Sequence, residues 1–182
     1  MTLIVTGSAG HLGEAIMCLA AAEGVAAEGL DIKPSAYTRH VGSIVDPEFV
    51  RRTLADATAV IHTATLHKPH VETHSRQAFV DINVTGTLNL LEAAREARVR
   101  AFVFTSTTSV FGDSMQPSPG APAVWVDEDL PPAPKNIYGA TKIAAEGLVS
   151  LFARKLRTPA LTLRTSRFFP EEDDAAQIRA AY

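Results

Sequence analysis

Cysteine is almost absent from this chain. Cys18 is the only one in 182 residues, which excludes an internal disulfide framework and fits a reducing compartment. Positive charge is not in excess either. A net charge of -3 leaves no global field to hold nucleic acid or an anionic membrane. No apolar run approaches the roughly 20 residues that a bilayer span requires. Met1 leads directly into Leu3-Ile4-Val5 without a charged n-region or cleavage site, so no secretory signal is read and a cytoplasmic protein is expected. Internal repeats, low-complexity tracts and the metal spacings HExxH and CxxC are all missing. What remains is 46% hydrophobic and 20% charged, the balance of one ordinary globular domain.

Short apolar runs alternate with helical periodicity. Thr2 to Thr6 reads as a buried strand, and Leu12, Ile16 and Leu19 mark one face of a helix ending near Gly24. Val25 to Asp31 and Arg39 to Ser43 are read as the second and third strands. Asp46-Pro47 opens a helix with Asp as its cap and Pro in its first turn. Thr58 to Thr63 is strand four. Ser75 to Ala97 is a long helix with Phe79, Ile82, Leu90 and Leu91 on its apolar face. Ala101 to Thr105, Ile137 to Arg157 and Ala160 to Arg164 complete the series as strand, helix and strand. Six of the eleven prolines fall between Pro117 and Pro134, so Gly112 to Asn136 is read as a loop. The fold class is therefore α/β: a Rossmann-type, doubly wound parallel sheet of about six strands in the order 3-2-1-4-5-6.

Thr6-Gly7-Ser8-Ala9-Gly10-His11-Leu12-Gly13 joins the first strand to the first helix. Gly7 permits a tight turn, Gly10 lets a pyrophosphate approach the backbone, and Gly13 lets helix and strand pack closely. The helix N-terminus offers free N–H groups and a positive dipole end to an anion. A bare turn without ligand is the bland alternative. Asp31, eighteen residues beyond Gly13, stands where a carboxylate accepts the hydroxyls of an adenosine ribose and repels a 2'-phosphate. NAD is accordingly favoured over NADP, with Lys33 softening the preference and a plain strand-end aspartate as the alternative.

Tyr138 and Lys142 are four residues apart on a helix and share a face. An ammonium beside a phenol stabilises the phenolate, so Lys142 is expected to draw Tyr138 toward working pH and make it a general base.

Together TGSAGHLG, VIHTAT, DINVTGTLNLLEAA, FVFTSTTSVFG and YGATK resemble, in order, the extended short-chain dehydrogenases/reductases. The resemblance is to the NAD-dependent epimerase/dehydratase branch, similar to nucleotide-sugar epimerases, and covers Thr2 to about Pro170. It implies that Gly7, Gly10, His11, Leu12, Gly13, Asp31 and Ile32 line adenosine and pyrophosphate. Ser43-Ile44 stand where the family usually has an Asp-hydrophobic pair on adenine. Thr63, Ala64 and Thr65 would pass under the nicotinamide ribose, with Thr105 beside them, and Asn83 would hold backbone near the site. Thr107 aligns with the catalytic hydroxyl, next to Tyr138 and Lys142, which also touch the cofactor. A homodimer through the 75–97 and 137–157 helices is implied as well.

Several features depart from the pattern or stay open. His67, Lys68, His70, Glu72 and His74 crowd one loop. Pro69 interrupts them and no metal is expected; the loop either faces substrate, with His67 and Lys68 meeting an anionic group, or is solvated. Thr108 is also placed toward substrate. Arg167 replaces an asparagine that often meets substrate phosphate, though an arginine can bind an anion bidentately. Cys18 is expected to be a small buried helix residue. Residues 1–170 are assigned to the NAD-binding domain and 171–182 to a remnant of a substrate-binding region, since family members continue well beyond this length. Three functions are consistent with this: an epimerase or dehydratase on a sugar-like secondary alcohol, simple oxidation or reduction of a small substrate, or a silent dinucleotide-binding module.

Overall fold

The computed structural model describes residues 2–155 and 158–166. β1 (Thr2–Thr6), α1 (His11–Ala22), β2 (Ala27–Asp31), β3 (Thr38–Val41), α2 (Pro47–Leu54) and β4 (Ala57–His62) form the first half. In the second half, a 3-10 turn at Lys68–Glu72 precedes a long helix, α3. This helix starts as Arg76–Phe79, widens into a π segment over Val80–Thr85 and continues as Gly86–Glu96. β5 (Ala101–Thr107), 3-10 turns at Thr108–Val110 and Gly112–Met115, α4 (Ile137–Lys155) and β6 (Ala160–Thr165) follow. All the pairings are parallel and the sheet order is β3-β2-β1-β4-β5-β6, the Rossmann order expected.

The parallel order follows from apolar runs that bury both faces of the central strands. Ile4, Val5, Val60, Phe102 and Phe104 are all buried, and α3 and α4 close over them with Leu90, Leu91, Ala145, Val149 and Phe152. Asp46 caps α2 by accepting from the N–H groups of Glu48 and Phe49, and Ser75 caps α3 by accepting from Ala78 N–H. The Asp46 cap is the one the sequence reading expects, and Ser75 stands where the long helix was expected to begin.

α1 corrects the expected packing. Its buried residues are Gly13, Met17 and Ala20, one position beyond the Leu12/Ile16/Leu19 stripe, and Leu19 is exposed. Close approach of Gly13 to the turn before it sets the rotation of the helix, which leaves Leu12 and Ile16 half-buried. Cys18 is consequently exposed rather than buried, and its thiol donates to the Tyr37 hydroxyl at 3.1 Å. Two strand assignments also shorten: Val25 is outside β2, and β3 ends at Val41. The Gly112–Asn136 stretch is irregular after its opening 3-10 turn, as its prolines imply. The last two residues of the expected 137–157 helix, Arg167, and the 171–182 segment lie outside the described residues.

β1, β4 and β5 run side by side, so the chain leaves the sheet at Thr6, His62 and Thr107 along one edge. The connections reverse direction between β1 and β4. An open parallel sheet forms its binding crevice at that switch point.

Candidate dinucleotide and catalytic site

The glycine-rich turn is shaped by missing side chains. Gly7 has φ +75, and a Cβ there would meet Thr63 Oγ1 at 2.7 Å and the Ala64 nitrogen at 2.8 Å. A Cβ on Gly13 would overlap the Gly7 carbonyl. Gly10 is the N-cap of α1, and no side chain caps that end. The first-turn N–H groups of His11, Leu12 and Gly13 have no helical acceptor and face the crevice edge with the positive end of the helix dipole. Asp31 buttresses the turn, accepting from Ala9 N–H at 3.0 Å and from Lys33 N–H at 2.9 Å. Ile32, immediately after it, is exposed. Ser43 accepts from Val45 N–H at 3.2 Å, whereas Ile44 is a core residue packed where Gly86 leaves room on α3.

Thr63, Ala64 and Thr65 form the crevice floor after β4. Thr63 Oγ1 donates to the Thr6 carbonyl at 2.6 Å, and the N–H groups of Thr63 and Ala64 both donate to Thr6 Oγ1 at 3.2 Å. Asn83, 2% exposed in the π segment of α3, closes the other end. Its Oδ1 accepts from Leu66 N–H (2.8 Å) and Thr65 Oγ1 (3.0 Å); its Nδ2 donates to the Leu66 carbonyl (2.9 Å) and Thr141 Oγ1 (3.1 Å). All four of its bonding directions are used, which explains a poor helix former inside a helix. The π segment, by adding a residue to the turn, presents that side chain to the loop.

Thr107, Tyr138 and Lys142 converge at the end of β5 and the start of α4, and all three are buried. Tyr138 packs with Leu66 and Phe79. Its phenol is pushed up from the usual range by burial, and the nearby Thr107 hydroxyl pulls the other way. The expected lowering by Lys142 is therefore corrected: burial outweighs it. Lys142 Nζ donates instead to the Thr105 carbonyl at 2.6 Å and lies 4.0 Å from the centre of the Phe104 ring. Burial lowers its pKa to about 7, opposed by the Glu146 carboxylate one turn along α4. Thr108 begins the 3-10 turn after Thr107, whose hydroxyl accepts from Ser109 N–H at 3.1 Å.

Three side chains packed at the candidate site escaped the sequence reading. Glu146 accepts from Ser106 Oγ, between Thr105 and Thr107, and pairs with Arg164 of β6 at 2.9 Å. Arg164 lies over the Phe111 ring at 4.9 Å and reaches the Glu128 carbonyl of the proline-rich loop. The spacing Lys142-x-x-x-Glu146 was the available signal. His62 ends the largely apolar β4. The His67/His70/His74 loop is solvent-facing: its rings stack edge to face at 4.6 and 5.0 Å, and His67 N–H donates to His70 Nδ1 at 3.1 Å. Burial lowers the pKa of His67; His70 is lowered first by burial, then by its histidine neighbours and Lys33. Lys68 is exposed on the 3-10 turn.

A Rossmann sheet with a glycine-rich first turn and a buried Thr/Tyr/Lys group defines a dinucleotide-binding domain of the short-chain dehydrogenase/reductase kind. The chain belongs to the NAD dependent epimerase/dehydratase family, whose pattern matches residues 3–180. A UDP-glucose 4-epimerase of Mycolicibacterium smegmatis is 34% identical over 167 residues, which are 84% of this chain and 51% of the relative. A 3-beta-hydroxysteroid dehydrogenase of Mycolicibacterium neoaurum is 30% identical over 81% of this chain and 42% of its own length. Among solved structures, a short-chain dehydrogenase/reductase superfamily protein of Agrobacterium tumefaciens with bound NAD superposes with a TM-score of 0.80 at 31% identity, covering 90% of this chain and 48% of that one. The chain thus spans about half the length of the curated relatives it matches.

Proposed function

We propose that this chain carries the NAD site and the proton-transfer group of an oxidoreductase or epimerase acting on a secondary alcohol, sugar or nucleotide-sugar in kind. The observation that carries this reading is the buried Thr107/Tyr138/Lys142 group at the same sheet edge as an uncapped α1 N-terminus. The uncapped end fits a pyrophosphate, and the flat floor at Thr63-Ala64-Thr65 fits a ribose and ring. Asp31 favours the unphosphorylated adenosine ribose. Bound NAD would supply a hydride acceptor.

The residues divide the remaining work. His11, Leu12 and Gly13 N–H groups would bind the anion, and Asn83 would keep the floor in place. Thr107 would orient the substrate hydroxyl. Tyr138 would remove its proton, and return one in the reverse direction. Lys142, freed from the Thr105 carbonyl, would hold the cofactor ribose and supply the positive charge that a buried phenolate requires. His67, Lys68, Thr108 and Arg167 are assigned to the substrate side, with Arg167 outside the described residues. A homodimer through α3 and α4, where Leu88 and Leu151 are exposed, belongs to the same reading.

Relatives that share this half of the fold are named for sugar nucleotides and for a steroid, so the reading stops at the alcohol class. Calorimetric titration with NAD and NADP, then a screen for NADH with sugar nucleotides, uronic acids and simple alcohols, tests it. Saturable NAD binding with turnover that falls about 10²-fold or more in Tyr138→Phe is expected. NAD binding without reduction of any substrate would favour a silent dinucleotide module.

A further inference from the structure

His62 is 1% exposed among apolar neighbours, with the Phe102 and Phe104 rings at 6.2 and 5.5 Å, yet both its nitrogens are hydrogen-bonded. Counting protons leaves one arrangement. The Thr87 hydroxyl has a single proton and donates it to the Asn83 carbonyl at 2.7 Å, so it must accept from His62 Nε2–H at 3.0 Å. Burial and the nearby Lys142 charge keep the imidazole neutral, with a pKa of about 3. Nδ1 is then bare and accepts from the Thr6 hydroxyl at 2.7 Å. With its own proton committed, Thr6 Oγ1 accepts from the N–H groups of Thr63 and Ala64. Every donor points the same way, from the floor backbone through Thr6, His62 and Thr87 to Asn83.

Asn83 in turn grips Thr65 and Leu66. The chain ends on the Asn83 backbone carbonyl, and the side chain of that same residue holds Thr65 and Leu66, so the floor is held at one end by this chain and at the other by the residue on which the chain terminates. An apolar side chain would fill the same volume but leave the Thr6 hydroxyl proton without its acceptor and Thr87 Oγ1 without its donor. We propose that His62 is a positioning residue: locked as the Nε2–H tautomer, it sets the direction of this chain and holds the Thr63–Ala64 backbone at the height a bound ribose requires. The ribose clause rests on the function proposed above; the mechanical clause does not.

Two conservative variants separate the arms. An Asn amide oxygen can stand in for Nδ1 toward Thr6, and a Gln amide nitrogen can stand in for Nε2 toward Thr87. In His62→Asn the Thr63 and Ala64 amides should retain hydrogen-exchange protection, and NAD should bind within about threefold of the wild type. In His62→Gln the same amides should exchange about tenfold faster and NAD should bind about tenfold more weakly. In the wild type, ¹⁵N NMR of the imidazole should show a neutral Nε2–H form from pH 5 to 8. An Nδ1–H or protonated imidazole in that range overturns the proposal even if neither variant folds. So do equal effects of the two variants, which would reduce His62 to packing. If the tautomer and exchange results hold while the wild type binds no NAD, the proposed function fails and the positioning role stands.

Discussion

The two sides of the crevice are built by opposite means. At the β1–α1 turn, Gly7 and Gly13 leave backbone against backbone with no space for a Cβ, and no charged side chain is buried there. At the β5–α4 side, the site consists of buried polar side chains: Ser106, Thr107, Thr141, Lys142 and the largely shielded Glu146. The first side depends on sterics and backbone dipoles, which change little with pH. The second depends on the ionisation of groups taken out of water, where a displaced charge or lost partner alters chemistry before it alters fold. Shape is conferred at one side, reactivity at the other.

Substitutions can break this contrast. The largest effect is expected from Gly13→Val, whose side chain would collide with the Gly7 carbonyl. It should cost about 3 kcal/mol or more in denaturant unfolding and abolish NAD binding with it. Unchanged stability would show that α1 can retreat from β1. Next is the titration of Lys142, followed by NMR of its Nζ-adjacent carbon. Its pKa should be about 7 in the cofactor-free chain and fall further in Glu146→Gln, because the carboxylate now raises it. The sign for stability follows. The folded chain binds fewer protons than the unfolded chain from pH 7 up to about 10, so stability should climb across that window. Lys142→Met should flatten the climb; a slope that persists assigns it elsewhere. The smallest effect belongs to Thr107→Val, which removes the hydroxyl that holds Tyr138 down. Tyrosinate absorbance should shift to higher pH, with turnover about tenfold lower and the fold intact. A tyrosinate curve that does not move would separate Thr107 from Tyr138.

Legibility in the sequence followed the same division. The glycine turn, the Asp46 cap, the six parallel strands and the Tyr138/Lys142 spacing are all local signals of period, turn chemistry or helix offset. What escaped were relations between distant residues. His62 is read correctly only with Thr6 and Thr87, 56 and 25 positions away, and Glu146 only with Ser106 and Arg164. α1 was misread by one residue because the contact that orients it is a glycine against a carbonyl, and no side-chain pattern records it. The direction of the Tyr138 shift was missed for a related reason: helix spacing places Lys142 on the same face, but only packing reveals that its ammonium is drawn to the Thr105 carbonyl.

Alternation of apolar runs with helical periodicity and the placement of glycine were sufficient to determine the Rossmann sheet and its strand order. These depend on interactions that span a turn or less, which the order of residues encodes directly. The protonation of Tyr138, Lys142 and His62, and the exposure of Cys18, were decided by tertiary structure. Desolvation is a property of everything packed around a group, and the neighbours that remove its water come from all parts of the chain.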